Sequence, residues 1–513
     1  MNKPCVYIVG AGPGDPSLIT VRGRRFLERA DVVVYDHQIA AGLLRFARAD
    51  AEKIDVGPAA PRLTDQEAIS ILLAEKVREG KTVVRLKWGD AFVFDSGGKE
   101  ALLLREQSIP FEIVPGIPAA IGGPAYSGIP ITYPGAGDVV ALVRGHEGET
   151  DAAPDVDWSR LAGLAGTIVC YAGPHQIGAI ANALIANGRS PDESAALIYD
   201  ATLASQRTTT GTLGNIAGQA FDGVPSLLVV GQVVGLRDHL RWFDDRPLFG
   251  RRIVVTRSRE HADDLIDMLE ERGAEAIPAP TIRIAPPQDV SPLDDAVADI
   301  SRFDWIVFTN ATAVDSFLTQ LLVAGDVRDL KGVRLCAIGA STASRLQQYG
   351  IRADLMPADY RIEALLEALA ADKPLKAQRF LLLHADNARE LLVEELRQAG
   401  AEVSEVSAYR ASLAQAERDT DKDIYGMLLN RRIDAVTFTS ASTVRNFVEI
   451  FGQEQAVDLL RTTVVASIGP VTAEAAQQLG IHTTVMPERY TIPDLVDALV
   501  EHFSREVATA LHG

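Results

Sequence analysis

VYIVGAGPGD, Val6 to Asp15, is the stretch that decides the fold of the first half. Four apolar residues run straight into three glycines at alternate positions, Gly10, Gly12 and Gly14. This pattern predicts a buried strand that ends in a tight turn and opens a βα unit. Glycines there let backbone approach a ligand closely. The pattern G-x-G-x-G-D departs from the dinucleotide fingerprint G-x-G-x-x-G, and Pro13 stands where a helix would begin. A nicotinamide cofactor is therefore not expected.

Outward from this stretch, apolar runs recur at Val32–Tyr35, Val83–Leu86 and Phe111–Val114, with a weaker one near Ile54. Helical patterns separate them. One is Thr64–Gly80, where Thr64 and Glu67 have the spacing of a capping box. Such alternation predicts a mostly parallel α/β sheet with its ligand beyond the carboxyl ends of the strands. Motifs gather at those ends: Tyr35-Asp36, Trp88-Gly89-Asp90 and Pro115-Gly116-Ile117-Pro118. Asp36 reads either as a general base, if partly buried, or as the N-cap of the next helix. From Gly135 to about Val234 the strand-like runs change character, with an antiparallel element around QRTTTGT. This predicts a second, mixed α/β subdomain, giving subdomains of about 1–134 and 135–246. The charged, aromatic stretch Gly235–Gly250 reads as the boundary.

The second half, 251–513, repeats itself. DWIVFTNATAVDSF (Asp304–Phe317) matches DAVTFTSASTVRNF (Asp434–Phe447), and AIGASTASRLQQYGI (Ala337–Ile351) matches SIGPVTAEAAQQLGI (Ser467–Ile481). Tyr360 and Tyr490 keep the same offset, and Arg251–Glu275 echoes Gln378–Glu402. Each unit is too long for a solenoid repeat. Two similar α/β domains, about 251–377 and 378–505, facing each other across a cleft are expected. The loops at Phe308 and Phe438, with GAST and GPVT, would line its walls. Their hydroxyls would cap helices and leave backbone N–H groups for carboxylates.

A chain of 513 residues at roughly 150 per domain predicts three to four domains. A net charge of −19 argues against a nucleic-acid partner. Cys5, Cys170 and Cys336 have no metal-ligand or redox spacing, so no metal is expected. No apolar run has membrane-spanning length, and the start lacks a signal-peptide pattern. A cytoplasmic protein is expected.

VYIVGAGPGDPSLIT, ADVVVYDHQIA, VVRLKWGDAFVF, VPGIPAAIGGPAYSGIPIT and QRTTTGTL, in this order and spacing, resemble the uroporphyrinogen-III C-methyltransferases of the tetrapyrrole methylase family. VVTRSRE, FTN, GAST, SAYR, FTSASTV and IGPVTAEAAQQLGI resemble uroporphyrinogen-III synthase. The two activities are consecutive on the route to sirohaem and cobalamin. The resemblance implies a methylase fold of two α/β subdomains with a cleft, followed by a two-domain synthase. It implies cyclisation of hydroxymethylbilane with loss of water and ring inversion. It also implies methylation of the product by S-adenosylmethionine to precorrin-2, and a homodimer formed through the methylase half.

Carried over residue by residue, the resemblance implies that Pro13, Trp88, Gly89, Asp90, Val93, Pro118, Ala119 and Ala172 stand at the S-adenosylmethionine site, with Asp36 as base. Tyr409 is the implied acid of the synthase. Thr342 and Thr472 match cleft threonines that hold substrate carboxylates, and Arg257 is a further candidate for them. The sequence departs from the methylase pattern at several points. A proton-donating lysine is Pro58, leaving Arg62 as a substitute. The first glycine of G-G-D is Trp88, which would crowd the site. An arginine is Ser96, a methionine is Ala172, and T-H-R is Thr132-Tyr133-Pro134. These changes leave two alternatives beside full bifunctionality: a methylase of altered tetrapyrrole specificity, or a module that binds without chemistry.

Overall fold

The computed structural model describes residues 4–39, 41–57, 66–145, 151–173, 175–221, 224, 226–257, 259–279, 282–287, 289–357, 362–371, 373–385, 391–413 and 424–512. Thr64 and Tyr360 lie outside these residues, as do Pro58 and Arg62. The chain divides into two compact units. One is Met1–Arg251 with Leu269–Glu275; the other is Arg252–Met268 with Ala276–Gly513.

The first unit contains two sheets. Strands β1 (Val6–Gly10), β2 (Val32–Tyr35), β3 (Glu52–Asp55), β4 (Val83–Lys87) and β5 (Phe111–Val114) form the first, in the order β3-β2-β4-β1-β5. Every pairing in it is parallel. Its central strands carry apolar residues on both faces because both are covered, as a parallel sheet requires, with Arg85 and Lys87 of β4 and the edge strand β3 as exceptions. Tyr7, Val9, Val33, Val84 and Leu86 feed one core, while Val6, Ile8, Val32, Val34 and Val83 feed the other. Strands β6 (Val139–Arg144), β7 (Gly166–Ala172), β8 (Ser194–Tyr199), β9 (Arg207–Thr212) and β10 (Ser226–Val230) form a mixed sheet, β6-β7-β10-β8-β9. The RTTTGT run is its antiparallel edge strand. Helix Ala119–Tyr126 packs on this second sheet through Ala119 and Ala120, which share a core with Val169, Ile198 and Val229.

The second unit has strands β11 (Arg252–Val255), β12 (Glu275–Pro278), β13 (Ile282–Ala285), β14 (Trp305–Phe308), β15 (Arg334–Ala337), β16 (Arg379–Ala385), β17 (Glu402–Leu413), β18 (Ala435–Phe438) and β19 (Val464–Ser467). They form two sheets, β12-β11-β18-β19 and β13-β17-β16-β14-β15. The sheets do not follow the repeat boundaries at 251–377 and 378–505. Each sheet takes strands from both repeats: β11 and β12 of the first copy join β18 and β19 of the second, while β16 and β17 join β14 and β15. The repeat identifies which strands are equivalent, but not which copy's partner they pair with. Strand β12 ends in one sheet and β13 begins in the other.

No helix among the described residues is long and apolar enough to cross a membrane. No group of His, Cys, Asp and Glu among them has the arrangement of a metal site.

Candidate functional site

In the first unit the order β2-β4-β1-β5 sets the motif-bearing strand ends side by side. The loops after β1 and β4 bridge as an antiparallel pair: Gly12 N–H donates to Gly89 O at 3.0 Å, and Gly89 N–H to Gly12 O at 2.9 Å. Both glycines are left-handed, with φ of 82° and 67°. A Cβ on Gly10 would lie 2.5 Å from Gly116 N, and one on Gly116 would lie 2.2 Å from Gly89 O. Several of these glycines are therefore needed for loop to pack on loop, beyond any approach to a ligand.

Asp90 holds the assembly together. Its carboxylate accepts the N–H of Phe92 at 2.8 Å and of Gly116 at 2.9 Å. Pro13 is buried with its ring near Gly122 of helix Ala119–Tyr126. That helix begins after Pro118, which supplies no side-chain cap. Instead Ala120 N–H donates to the Tyr171 hydroxyl at 3.0 Å. Burial pushes the Tyr171 phenol above its ordinary pKa, with Asp90 adding to the rise and the Ala120 N–H opposing it. Phe94, itself left-handed at φ 57°, meets Tyr171 edge-on at 5.5 Å. Pro13, Gly89, Asp90, Pro118 and Ala119 are thus brought together, and half-buried Val93 follows in the Asp90 loop. Ala172 is buried in the core of the second sheet, next to Tyr171. Trp88 is half-buried and packs against the apolar clusters of both sheets.

Asp36 is not a side-chain helix cap. Its Oδ1 accepts from Arg85 Nη2, and its Oδ2 accepts from Trp88 N–H at 3.3 Å and lies 3.5 Å from Lys87 Nζ. Arg85, Lys87 and Glu100 are buried, at 0%, 2% and 0% exposure. Arg85 Nε is 3.2 Å from Glu100, while Lys87 Nζ is 2.9 Å from Asp95 and 2.8 Å from Ser96 Oγ. Burial acts to raise the Asp36 pKa, but the Arg85 and Lys87 charges with the Arg85 and Trp88 hydrogen bonds hold it below its ordinary value. Burial raises Asp95 despite Lys87. Sequence reasoning missed Arg85, Lys87, Asp95 and Glu100. The available signal was two cations at alternate positions of an apolar strand, which share one face.

In the second unit Tyr409 lies on β17, 8% exposed. Its hydroxyl accepts from Asn310 Nδ2 at 3.0 Å. Asn310 also N-caps helix Ala311–Ala324 through Ala313 N–H at 2.9 Å, and Thr309 Oγ1 donates to Leu383 O at 3.0 Å. Tyr409 is therefore tied to the FTN loop. Ser440 caps helix Ala441–Phe451 in the corresponding FTS loop. Thr342 and Thr472 are each the third residue of a helix, Ala340–Gln348 and Pro470–Gln478, following β15 and β19 of different sheets. Both are buried, and Thr342 Oγ1 donates to Ile338 O at 3.0 Å. Arg257 follows β11, half-buried and without a hydrogen bond or ion pair among the described residues. Burial lowers its pKa against the attraction of Asp264. Its repeat equivalent is His384, 5% exposed and 3.2 Å from Glu405.

Residues 5–217 match the family model for tetrapyrrole (corrin/porphyrin) methylases, and residues 263–497 match that for uroporphyrinogen-III synthase HemD. The whole chain is 33% identical over 506 residues to the porphyrin biosynthesis protein HemD of Ruminiclostridium josui, covering 98% of each. The chain belongs to the family of fused tetrapyrrole methylases and uroporphyrinogen-III synthases. This fused methylase–synthase is also 36% identical over 355 residues to the uroporphyrinogen-III C-methyltransferase of Bacillus subtilis (strain 168), covering 68% of its own length and 72% of that relative's. A solved uroporphyrin-III C-methyl transferase from Thermus thermophilus, complexed with S-adenyl homocysteine, is 34% identical. The match covers 45% of this chain and 92% of that one, with a TM-score of 0.39.

Proposed function

We propose that the chain catalyses two consecutive steps. The second unit cyclises hydroxymethylbilane to uroporphyrinogen III with loss of water and inversion of the last ring. The first unit then methylates that product to precorrin-2. The observation that carries the reading is the full-length likeness to a fused relative, in a chain whose two families act on linked substrates.

S-adenosylmethionine supplies the activated methyl group of the second step. The residues present fit it: beside the start of helix Ala119–Tyr126, the Tyr171 hydroxyl that accepts from Ala120 N–H retains a proton to donate to a carboxylate. Most of the catalytic gain comes from aligning donor and ring carbon, which the Asp90-bound loops do by fixing one another. Asp36, held ionised, takes the proton that the methylated substrate must release. In the synthase unit the substrate ionises readily, and the uncatalysed product is the uninverted isomer. Holding geometry therefore matters more there than lowering a barrier. Tyr409, oriented by Asn310, protonates the departing hydroxyl, while Arg257 and Thr472 hold carboxylates; Thr342 joins them only by releasing Ile338 O.

Ser96 in place of an arginine and Ala172 in place of a methionine favour a second reading, in which the first unit methylates another tetrapyrrole or binds one without chemistry. One assay separates the readings. Hydroxymethylbilane is supplied with and without S-adenosylmethionine, the isomer is identified and added methyl groups are counted. Uroporphyrinogen III alone, and a dimethylated product with the methyl donor, are expected. An unmethylated product in both arms overturns the methylase reading, and the uninverted isomer overturns the synthase reading. Dimerisation through the first unit is part of the proposal. A monomeric mass in solution contradicts it.

A further inference from the structure

Two cations and three carboxylates meet beneath the open end of the first sheet. Arg85 and Lys87 occupy alternate positions of β4, on the face covered by helices Gln66–Arg78 and Gly97–Glu106. Arg85 stands between Ile8 of β1 and Val34 of β2, both buried. Apolar residues would satisfy packing at such a position, and charges are buried only when paired. The pairing here has a direction. Glu100, wholly buried, contacts both cations, at 3.2 Å from Arg85 Nε and 3.3 Å from Lys87 Nζ. From there the cations lead outward to Asp36, whose side chain is 23% exposed. Arg85 takes Asp36 Oδ1 and Lys87 lies on the Oδ2 side, so together they oppose rotation of the carboxylate.

We propose that Arg85 and Lys87 are positioning residues for methyl transfer, anchored by Glu100 and Asp95, and that they present the Asp36 carboxylate to substrate in one orientation. The inference rests on the reading of Asp36 as the base. Asp36 is faced by Arg85, Lys87 and the Trp88 N–H from β4 and its end, by Asp95 from the following loop and by Glu100 from helix Gly97–Glu106. On its own loop His37 pairs with Asp55 at 2.7 Å. The two cations outweigh burial, so the base stays ionised below the ordinary aspartate value of 3.8. Removing one cation raises that value, and the acid limb of activity must move to higher pH.

The test uses the full chain and follows kcat/KM for methyl transfer against pH. In the wild type the Asp36 inflection is expected below 3.8, with a separate one above it from Asp95 that Asp95→Asn removes. Lys87→Gln is expected to move the acid limb up by about one unit, with kcat falling more than KM rises, and Lys87→Arg is expected to restore the limb. A purely structural lysine would change stability and leave the limb in place. An unmoved limb in folded Lys87→Gln overturns the inference. So does a wild-type inflection above the ordinary aspartate range that survives in Asp95→Asn. If Asp36→Asn keeps full methyl transfer, the reading of Asp36 itself fails. If Asp36→Asn is inactive and the limb stays in place, only the positioning role fails.

Discussion

The two units hold their chemical groups in opposite ways. In the first, the proposed base sits on a buried lattice of ions, and backbone N–H groups from adjoining loops are pinned by Asp90. In the second, the proposed acid accepts an amide hydrogen bond from a helix-capping asparagine, beside the Thr309 hydroxyl of the same loop. The difference follows the chemistry proposed for each. Proton removal after methylation needs an oriented anion, which burial would neutralise without cations. Ring closure of a substrate that ionises readily needs shape, which packed α/β lobes and neutral hydrogen bonds supply.

The largest expected break in this comparison is Asp36→Asn. Methyl transfer should fall by about 10²–10⁴-fold, with S-adenosylmethionine affinity by calorimetry nearly unchanged and synthase activity intact. Equal loss of binding and rate would make Asp36 part of the scaffold. Next is Glu100→Ala, which strips the shared anchor from two buried cations. Breaking a buried pair costs about 3–5 kcal/mol, to be read by urea unfolding of the chain. A loss below about 1 kcal/mol would mean that the cations find other partners and the lattice is not cooperative. Tyr409→Phe should slow synthase turnover by about 10²-fold or less while still giving mainly the inverted isomer. Full rate at unchanged stability would reduce the phenol to packing. The smallest effects belong to Thr342→Ala and Thr472→Ala, about 2–10-fold weaker substrate binding each, as for one neutral hydrogen bond. Unchanged affinity in both would leave carboxylate binding to Arg257 and backbone groups.

The features legible in the sequence were local ones. A strand running into glycines, or Trp88-Gly89-Asp90 closing another strand, is written in consecutive residues, and the parallel order then brings the strand ends together. The partners of Asp36 were hidden because they depend on β2 pairing with β4 and on which helix covers Arg85. Even so, Arg85 and Lys87 stood two residues apart in an apolar run and announced a charged face. The role of Asp90 was invisible for a similar reason: Gly116 lies 26 residues away, across a strand pairing. The exchange of strands between repeats was also hidden. Arg252–Val255 pairs with Ala435–Phe438 and Arg379–Ala385 with Trp305–Phe308, long-range choices that the pattern of each strand does not specify.

Product analysis of the one-pot reaction on wild type, Asp36→Asn and Tyr409→Phe tests the division of labour most directly. With hydroxymethylbilane and S-adenosylmethionine, the wild type is expected to yield dimethylated product. Asp36→Asn is expected to stop at unmethylated uroporphyrinogen III, and Tyr409→Phe to reach the dimethylated product slowly. Dimethylated product at the wild-type rate from Asp36→Asn, or the uninverted isomer as the main product of Tyr409→Phe, would contradict it.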